Sequence, residues 1–124
     1  MSIRQIVGCA AIGCMAFVSM AQTARRSDIA DAAMNGDRVT VRRLLTQKGD
    51  VNAPQIDGAT ALHWAVYRDD LELADLLIRA KANVKAANRV GITPLAMASI
   101  FGRHAMIDRL LKAGADAKEL GLPL

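Results

Sequence analysis

The sequence predicts an all-α solenoid of about three helix-turn-helix repeats joined by β-hairpin-type loops. The eight residues from Gly58 align without a gap with the eight from Gly91, 33 positions later. The same interval places Leu77-Ile78 on Leu110-Leu111 and, one step earlier, on Leu44-Leu45. A fixed period in this range is typical of stacked repeats, and a stack offers an elongated surface that suits binding better than enclosing a reaction.

The repeats are expected at 24–56, 57–89 and 90–122, within a domain that spans 22–124. In repeat one, Asp28 and Asp31 lie in the first turn of the first helix, where carboxylates favour the helix dipole. They also place polar groups where an internal repeat is apolar. We therefore expect repeat one to be the N-terminal cap of the stack, with this side facing water.

Repeat two predicts two short antiparallel helices. Leu62, Ala65 and Val66 share one face of the first helix because they follow the spacing i, i+3, i+4. Asp70 then separates this run from a second apolar stripe centred on Leu77. Each repeat is therefore expected to bury one stripe of each helix against its neighbours.

The loops before the first helices carry turn and cap signals. Gly58 and Gly91 lie where a connecting hairpin needs a positive φ. Thr60 and Thr93 follow as N-caps, because their hydroxyls can accept from backbone N–H groups that have no partner in the helix. Pro94 takes the first helical position of repeat three, where its missing donor costs nothing.

Three positions without glycine are also expected in left-handed conformation. Lys48 and Lys81 follow the second helices, where repeat three has Gly114. Asp69 lies between the helices of repeat two, where the other repeats have glycine. Each left-handed lysine should cost roughly 1 kcal/mol.

These motifs resemble the ankyrin repeat. Residues 93–95 are similar to the start of the T-P-L-H-x-A motif of that family, and residues 60–65 match it except at the proline. Residues 110–116 resemble its L-L-x-x-G-A-D stretch, and the whole resemblance covers residues 27–118. It implies that the ring of His63 hydrogen-bonds to backbone and ties adjacent hairpins together. The residues expected to carry this structural motif are Thr60, Leu62, His63, Thr93, Pro94 and Leu95.

The resemblance further implies a non-catalytic protein–protein interaction module. Its partner would bind the concave face, which the hairpin tips and the exposed side of the first helices form. The matching positions are Ile56, Asp57, Ala59, Tyr67, Arg68, Arg89, Val90, Ile92, Ile100 and Phe101. Tyrosine and arginine tend to dominate binding energy. The alternative left open is that Ile100 and Phe101 simply cover the last repeat.

No enzyme activity, cofactor or metal site is predicted. His63 and His104 lie in different repeats, and no H-E-x-x-H or similar spacing joins them to a carboxylate. Asp69-Asp70 stands at a helix junction, where helix capping explains it better than acid–base chemistry. The sequence contains no glycine-rich phosphate loop and no serine in a nucleophile elbow.

Residues 1–21 have the layout of a secretory signal peptide. Arg4 and the amino terminus precede an uncharged apolar run from Ile6 to Ala21, which ends with small residues suited to cleavage before Gln22. Both cysteines of the chain lie inside this segment. A periplasmic or secreted protein is therefore expected. The alternatives are an uncleaved membrane anchor, a lipid attached at one of these cysteines, and an unusually apolar cytosolic start.

The charge pattern favours a solvated helix face over phosphate contacts, so no nucleic-acid partner is predicted for a chain of net charge +4. Arg38, Arg42 and Arg43 cluster in the second helix of repeat one. The carboxylates interleaved with them along the chain are Asp28, Asp31, Asp37 and Asp50. We expect a monomer. The alternative function is a structural or membrane-anchored subunit of a larger assembly that uses the apolar end, 120–124.

Overall fold

The computed structural model describes residues 28–120, so the expectations for segment 1–21 and for the apolar end after Leu120 lie outside the described residues. Within this range the structure contains six α-helices in three pairs and one short 3-10 helix. The helices are α1 (Asp28–Met34), α2 (Arg38–Thr46), α3 (Ala61–Tyr67), α4 (Leu71–Arg79), α5 (Pro94–Ile100) and α6 (His104–Lys112), and the 3-10 helix is η1 (Ala117–Leu120). The predicted all-α repeat solenoid is confirmed.

The predicted helix starts are found where the cap residues stand. Thr60 and Thr93 are the N-caps of α3 and α5, and Thr93 Oγ1 accepts from Ala96 N–H at 3.2 Å. Pro94 occupies the first turn of α5. Asp70 caps α4, because its Oδ1 accepts from Leu73 N–H at 3.0 Å. Capping thus accounts for one carboxylate of the Asp69-Asp70 pair.

The left-handed positions are those that the register predicts. Gly58 and Gly91 both have φ = 83° in the hairpins. Lys48 and Lys81 have φ values of 60° and 72°, and Asp69 has 54°. The repeat geometry therefore imposes the same backbone turn whether or not glycine is present, and the non-glycine residues carry the strain.

The core lies between a layer of first helices and a layer of second helices. Helix α3 packs against both α1 and α5, and α4 packs against α6. Ala32, Ala65 and Ala98 occupy one register position and are all buried, so the first helices can approach closely. Leu62 and Leu95 fill the equivalent positions beside them and are 1% and 0% exposed.

The loops between repeats are hairpin turns without any assigned β-strand in the described part of the chain. Gly58 N–H donates to Gln55 C=O at 2.9 Å, and Gly91 N–H donates to Asn88 C=O at the same distance. Arg89 N–H then donates across to the C=O of Asp57 at 2.9 Å. This bond holds the second hairpin directly against the first.

The last repeat is partly covered by η1. Leu120 packs against the core, and the Thr93 hydroxyl donates to the Glu119 carboxylate. Helix α5 is thereby fastened at its N-terminus to the segment that follows α6. Leu120 is the only residue of the apolar end 120–124 that the structure describes, and it lies over the last repeat.

Ion pairs join neighbouring repeats on the outer side. Arg38 lies 3.0 Å from Asp70 and also pairs with Glu72, which Arg42 contacts at 3.0 Å. Arg109 pairs with Asp75 in the same way between repeats three and two. Arg38 and Arg42 of α2 therefore pair with carboxylates of the next repeat, which the local interleaving of charges did not indicate.

Candidate protein-binding face

The hairpin tips and the ends of the first helices expose several large apolar residues. At the hairpin tips, Ile56 is 88% exposed and Val90 78%. On the first helices, Tyr67 is 54% exposed, Ile100 68% and Phe101 45%. All five belong to the positions predicted for the binding face. We call these five residues the apolar face.

One predicted position does not fit an exposed face. Ala59 is only 6% exposed, so its assignment to the contact surface is wrong. Its N–H donates to Asp57 Oδ1 at 3.0 Å and its C=O accepts from Gln55 N–H at 2.9 Å. Both backbone groups are used inside the hairpin, which turns the residue inward. Ile92, at the same place in the next hairpin, is half-buried.

Three aromatic rings form a continuous row along this face. Tyr67 contacts Trp64 edge-to-face, with ring centroids 5.6 Å apart and planes at 82°. Tyr67 also contacts Phe101 across the repeat boundary, with centroids 5.8 Å apart and planes at 78°. Such edge-to-face pairs contribute roughly 0.5–1.5 kcal/mol beyond their buried area. The row therefore joins repeats two and three.

Trp64 is the member of this row that the sequence analysis missed. Its indole N–H donates to Gln55 Oε1 at 2.7 Å, and Gln55 Nε2–H donates to Asp31 Oδ1 at 2.6 Å. The ring is thereby tied to the hairpin and to α1. A signal was present, because Trp64 precedes Tyr67 by three residues and so shares its side of the helix.

The predicted arginines differ in how they are held. Arg68 donates from Nη1 to the Met34 C=O at 3.3 Å, and its guanidinium lies where a Cβ on Gly36 would approach within 2.6 Å. It therefore links α3 to the end of α1. Arg89 contributes its backbone N–H to the hairpin stack, and its side chain is exposed.

Two grooves open beside Trp64. The inner groove encloses about 240 Å³ and is lined by Asp57, His63, Trp64, Tyr67 and Met97. The outer groove encloses about 460 Å³ and is lined by Asp31, Met34, Gln55, Ile56, Asp57 and Trp64. Because Trp64 and Asp57 line both, these two residues form the partition between the grooves.

His63 has the structural role that the resemblance implies. Its Nδ1 accepts from Thr60 N–H at 3.0 Å, so the proton is assigned to Nε2, which donates to the Ile92 C=O at 2.9 Å. The ring thus connects the start of α3 to the next hairpin. Burial lowers the pKa of His63, against the opposing effects of the Ile92 carbonyl and of the Asp57 charge.

This burial predicts that acidification will weaken the fold through His63. The unfolded chain takes up the proton near the ordinary pKa of 6.5, whereas the folded chain does so only at lower pH. The contribution of His63 to the free energy of unfolding is therefore complete above the unfolded pKa of 6.5 and is lost as the pH falls from there toward the lower folded pKa. We expect urea unfolding at pH 7.5 and 5.5 to show this loss in the wild type and in His104→Ala, which removes an exposed histidine. An equal pH dependence in His63→Ala would contradict the assignment.

Among residues 28–120, no group of three or more histidine, cysteine, aspartate or glutamate side chains is placed to hold a metal ion. Over the same residues, the structure has no helix with the length and apolar character that a bilayer crossing requires.

The sequence also matches a known protein family. A family model described as ankyrin repeats, with three copies, matches residues 29–119. The chain belongs to the ankyrin repeat family. Ankyrin repeats generally mediate protein–protein interaction and are typically non-catalytic. The three repeats of the match agree with the three helix pairs of the structure.

Several curated proteins are similar over part of this chain. Palmitoyltransferase AKR1 of Lachancea kluyveri is 33% identical over 73 residues, which are 59% of this chain and 10% of that protein. The RelA-associated inhibitor of Mus musculus is 34% identical over 85 residues, 68% of this chain and 10% of that protein. Protein PhlB of Serratia liquefaciens is 40% identical over 78 residues, 62% of this chain and 34% of that protein. The chain thus spans about a third or less of the length of these relatives.

Proposed function

We propose that this chain is a non-catalytic interaction module whose partner protein docks on the concave side of repeats two and three. The apolar face carries the proposal, because its five large apolar side chains at the hairpin tips and the ends of the first helices are each at least 45% exposed. Contiguous exposed apolar surface on a soluble domain is characteristic of a binding site. Aromatic anchors at such sites supply most of the binding energy.

The way in which the face is held also supports binding. Trp64 is fixed by the Gln55 hydrogen bond, and Tyr67 is held between Trp64 and Phe101. Side chains that are already ordered lose little entropy when a partner binds. The face is therefore suited to stoichiometric binding, by which the chain would inhibit, protect or localise its partner.

An affinity capture from a periplasmic extract of the host tests this function. The bait is the chain, compared with a Tyr67→Ala/Phe101→Ala variant and with Val39→Ala, which removes an exposed apolar side chain on α2. We expect the same protein to be captured by the wild type and by Val39→Ala, and capture by the double variant to fall at least tenfold, because two aromatic anchors are lost. Circular dichroism checks that each bait is folded.

The outcomes separate the alternatives. Equal capture by all three baits would mean that Tyr67 and Phe101 only cover the last repeat, and that the partner docks elsewhere. Loss of capture with Val39→Ala alone would place the contact on the layer of second helices instead. Either result overturns the proposed face.

We also propose that the chain acts in the periplasm or outside the cell. The support is the layout of residues 1–21, with a basic start, an apolar run and small residues before Gln22. Expression of the full chain in a Gram-negative host should yield, in the periplasmic fraction, a product whose mass corresponds to cleavage before Gln22. A product that keeps Met1 and stays in the cytosol, or one that stays in the membrane, would contradict this location.

A further inference from the structure

The grooves beside Trp64 have carboxylates in their linings, those of Asp31 and Asp57. No lysine or arginine from residues 28–120 lines either groove. The grooves therefore present the exposed carboxylate of Asp57 beside aromatic surface.

Asp57 is held in place at the partition between the grooves. Its Oδ1 accepts from Ala59 N–H at 3.0 Å, and its own C=O accepts from Arg89 N–H at 2.9 Å. Its side chain is exposed. A carboxylate fixed in this way can receive a cation without first becoming ordered.

No ion pair with a residue of 28–120 neutralises the Asp57 carboxylate. His63 is the other titratable group of the inner groove besides Tyr67, and burial lowers its pKa, so the ring is neutral at pH 7. Arg68 donates to the Met34 C=O. Arg103 lies 3.7 Å from Asp69, and its Cζ lies 6.0 Å from the centre of the Phe101 ring. These two arginines are already engaged within the molecule.

The aromatic rings favour the same type of ligand group. Trp64 and Tyr67 both line the inner groove next to Asp57. The faces of tryptophan and tyrosine attract lysine and arginine side chains, and tryptophan does so best. A cation in this groove would meet an aromatic ring and a carboxylate together.

We propose that the partner is a protein segment that inserts an arginine or lysine side chain beside Asp57, Trp64 and Tyr67, with apolar residues next to it on the apolar face. This inference rests on the proposed function and names the chemistry of its ligand. The basic group pairs with the Asp57 carboxylate, and the apolar neighbours cover Ile56 and Phe101. Charge complementarity makes an acidic segment the poorer ligand, because it would face the Asp57 carboxylate.

Selection of peptides tests this chemistry before any natural partner is identified. The probe is a phage library of random twelve-residue peptides, selected on the full chain expressed with its own N-terminal segment. Parallel selections use Asp57→Asn, Asp50→Asn and Tyr67→Ala/Phe101→Ala. Asparagine keeps the side-chain oxygen that accepts the turn hydrogen bond at both aspartates, and Asp50 lines neither groove. Asp50→Asn is therefore a matched control with the same change of net charge.

We expect the wild type and Asp50→Asn to enrich peptides with a basic residue flanked by apolar ones, and Asp57→Asn to lose that enrichment. One enriched peptide is then titrated against the fluorescence of Trp64, the only tryptophan of the chain. Replacing its arginine by neutral citrulline should weaken binding at least tenfold on the wild type and much less on Asp57→Asn, because a charged hydrogen bond is lost.

Each other outcome overturns the inference. In one such outcome, the wild type enriches apolar peptides without basic residues, and these are lost on Tyr67→Ala/Phe101→Ala. That result would contradict the role of a basic group but would still support the proposed binding face. Enrichment of acidic peptides would contradict pairing with Asp57 and point to Arg68 or Arg103 as the contact. No enrichment beyond that of the Tyr67→Ala/Phe101→Ala variant would count against both the inference and the proposed face.

Discussion

Replacing Gly58 by alanine is expected to lower the free energy of unfolding by about 2–4 kcal/mol. The glycine has φ = 83°, where an L-residue costs roughly 1–2 kcal/mol. A Cβ at this position would also lie 2.8 Å from Arg89 N and 3.1 Å from Asn88 Cα, so it would push the next hairpin away. Since these are backbone atoms, no side-chain rotation relieves the contact.

Gly91 provides a matched control for this prediction. It has the same φ of 83°, but a Cβ added there would meet no atom within 4 Å beyond its own chain neighbours. Gly91→Ala should therefore cost only the backbone strain, about 1–2 kcal/mol. Urea unfolding followed by circular dichroism compares the two variants. Equal losses of unfolding free energy in the two variants would show that contact between the stacked hairpins adds nothing to the requirement for glycine at position 58.

Much of the fold could be predicted because the repeats carry similar residues at equivalent positions. The threonine caps and the hairpin glycines of repeats two and three recur in one register, so one repeat predicts the next. Even the strained positions followed, because repeat three has glycine where Lys81 and Asp69 stand in repeat two. Periodicity works here since the contacts of a solenoid are local or between neighbours.

The candidate site was less predictable because it depends on contacts between repeats. The position of Ala59 matched the hairpin tip, but its backbone hydrogen bonds turn the side chain inward. Trp64 belongs to the aromatic row only because the ring of Tyr67 reaches both it and Phe101. Sequence spacing places residues on a helix face, and the packing between repeats decides which of them a partner can reach.

The ion pairs between repeats could not be predicted from the local sequence either. The sequence places Arg38 close to Asp37, which suggests a locally balanced helix face. In the structure Asp37 caps α2, and Arg38 pairs with Asp70 and Glu72 of the next repeat. A separation of one repeat period along the chain brings these side chains together, and only stacking reveals it.

Leu77→Ala is expected to lower the free energy of unfolding by about 3–4 kcal/mol. Leu77 is 0% exposed and lies in the second helix of the middle repeat, so its removal leaves a cavity between helices on both sides. The loss should extend beyond repeat two, because the stability of a solenoid is the sum of its repeats and their interfaces. Urea unfolding measures the effect.

Leu44→Ala is the matched comparison, because Leu44 takes the same register position in repeat one but is only partly buried. We expect it to cost about 1–2 kcal/mol, since fewer contacts are lost and the site can relax toward water. A terminal repeat contributes one interface, whereas the middle repeat contributes two. The free energy of unfolding should therefore fall about twice as far in Leu77→Ala, and similar losses in the two variants would mean that the stack does not depend on its middle repeat.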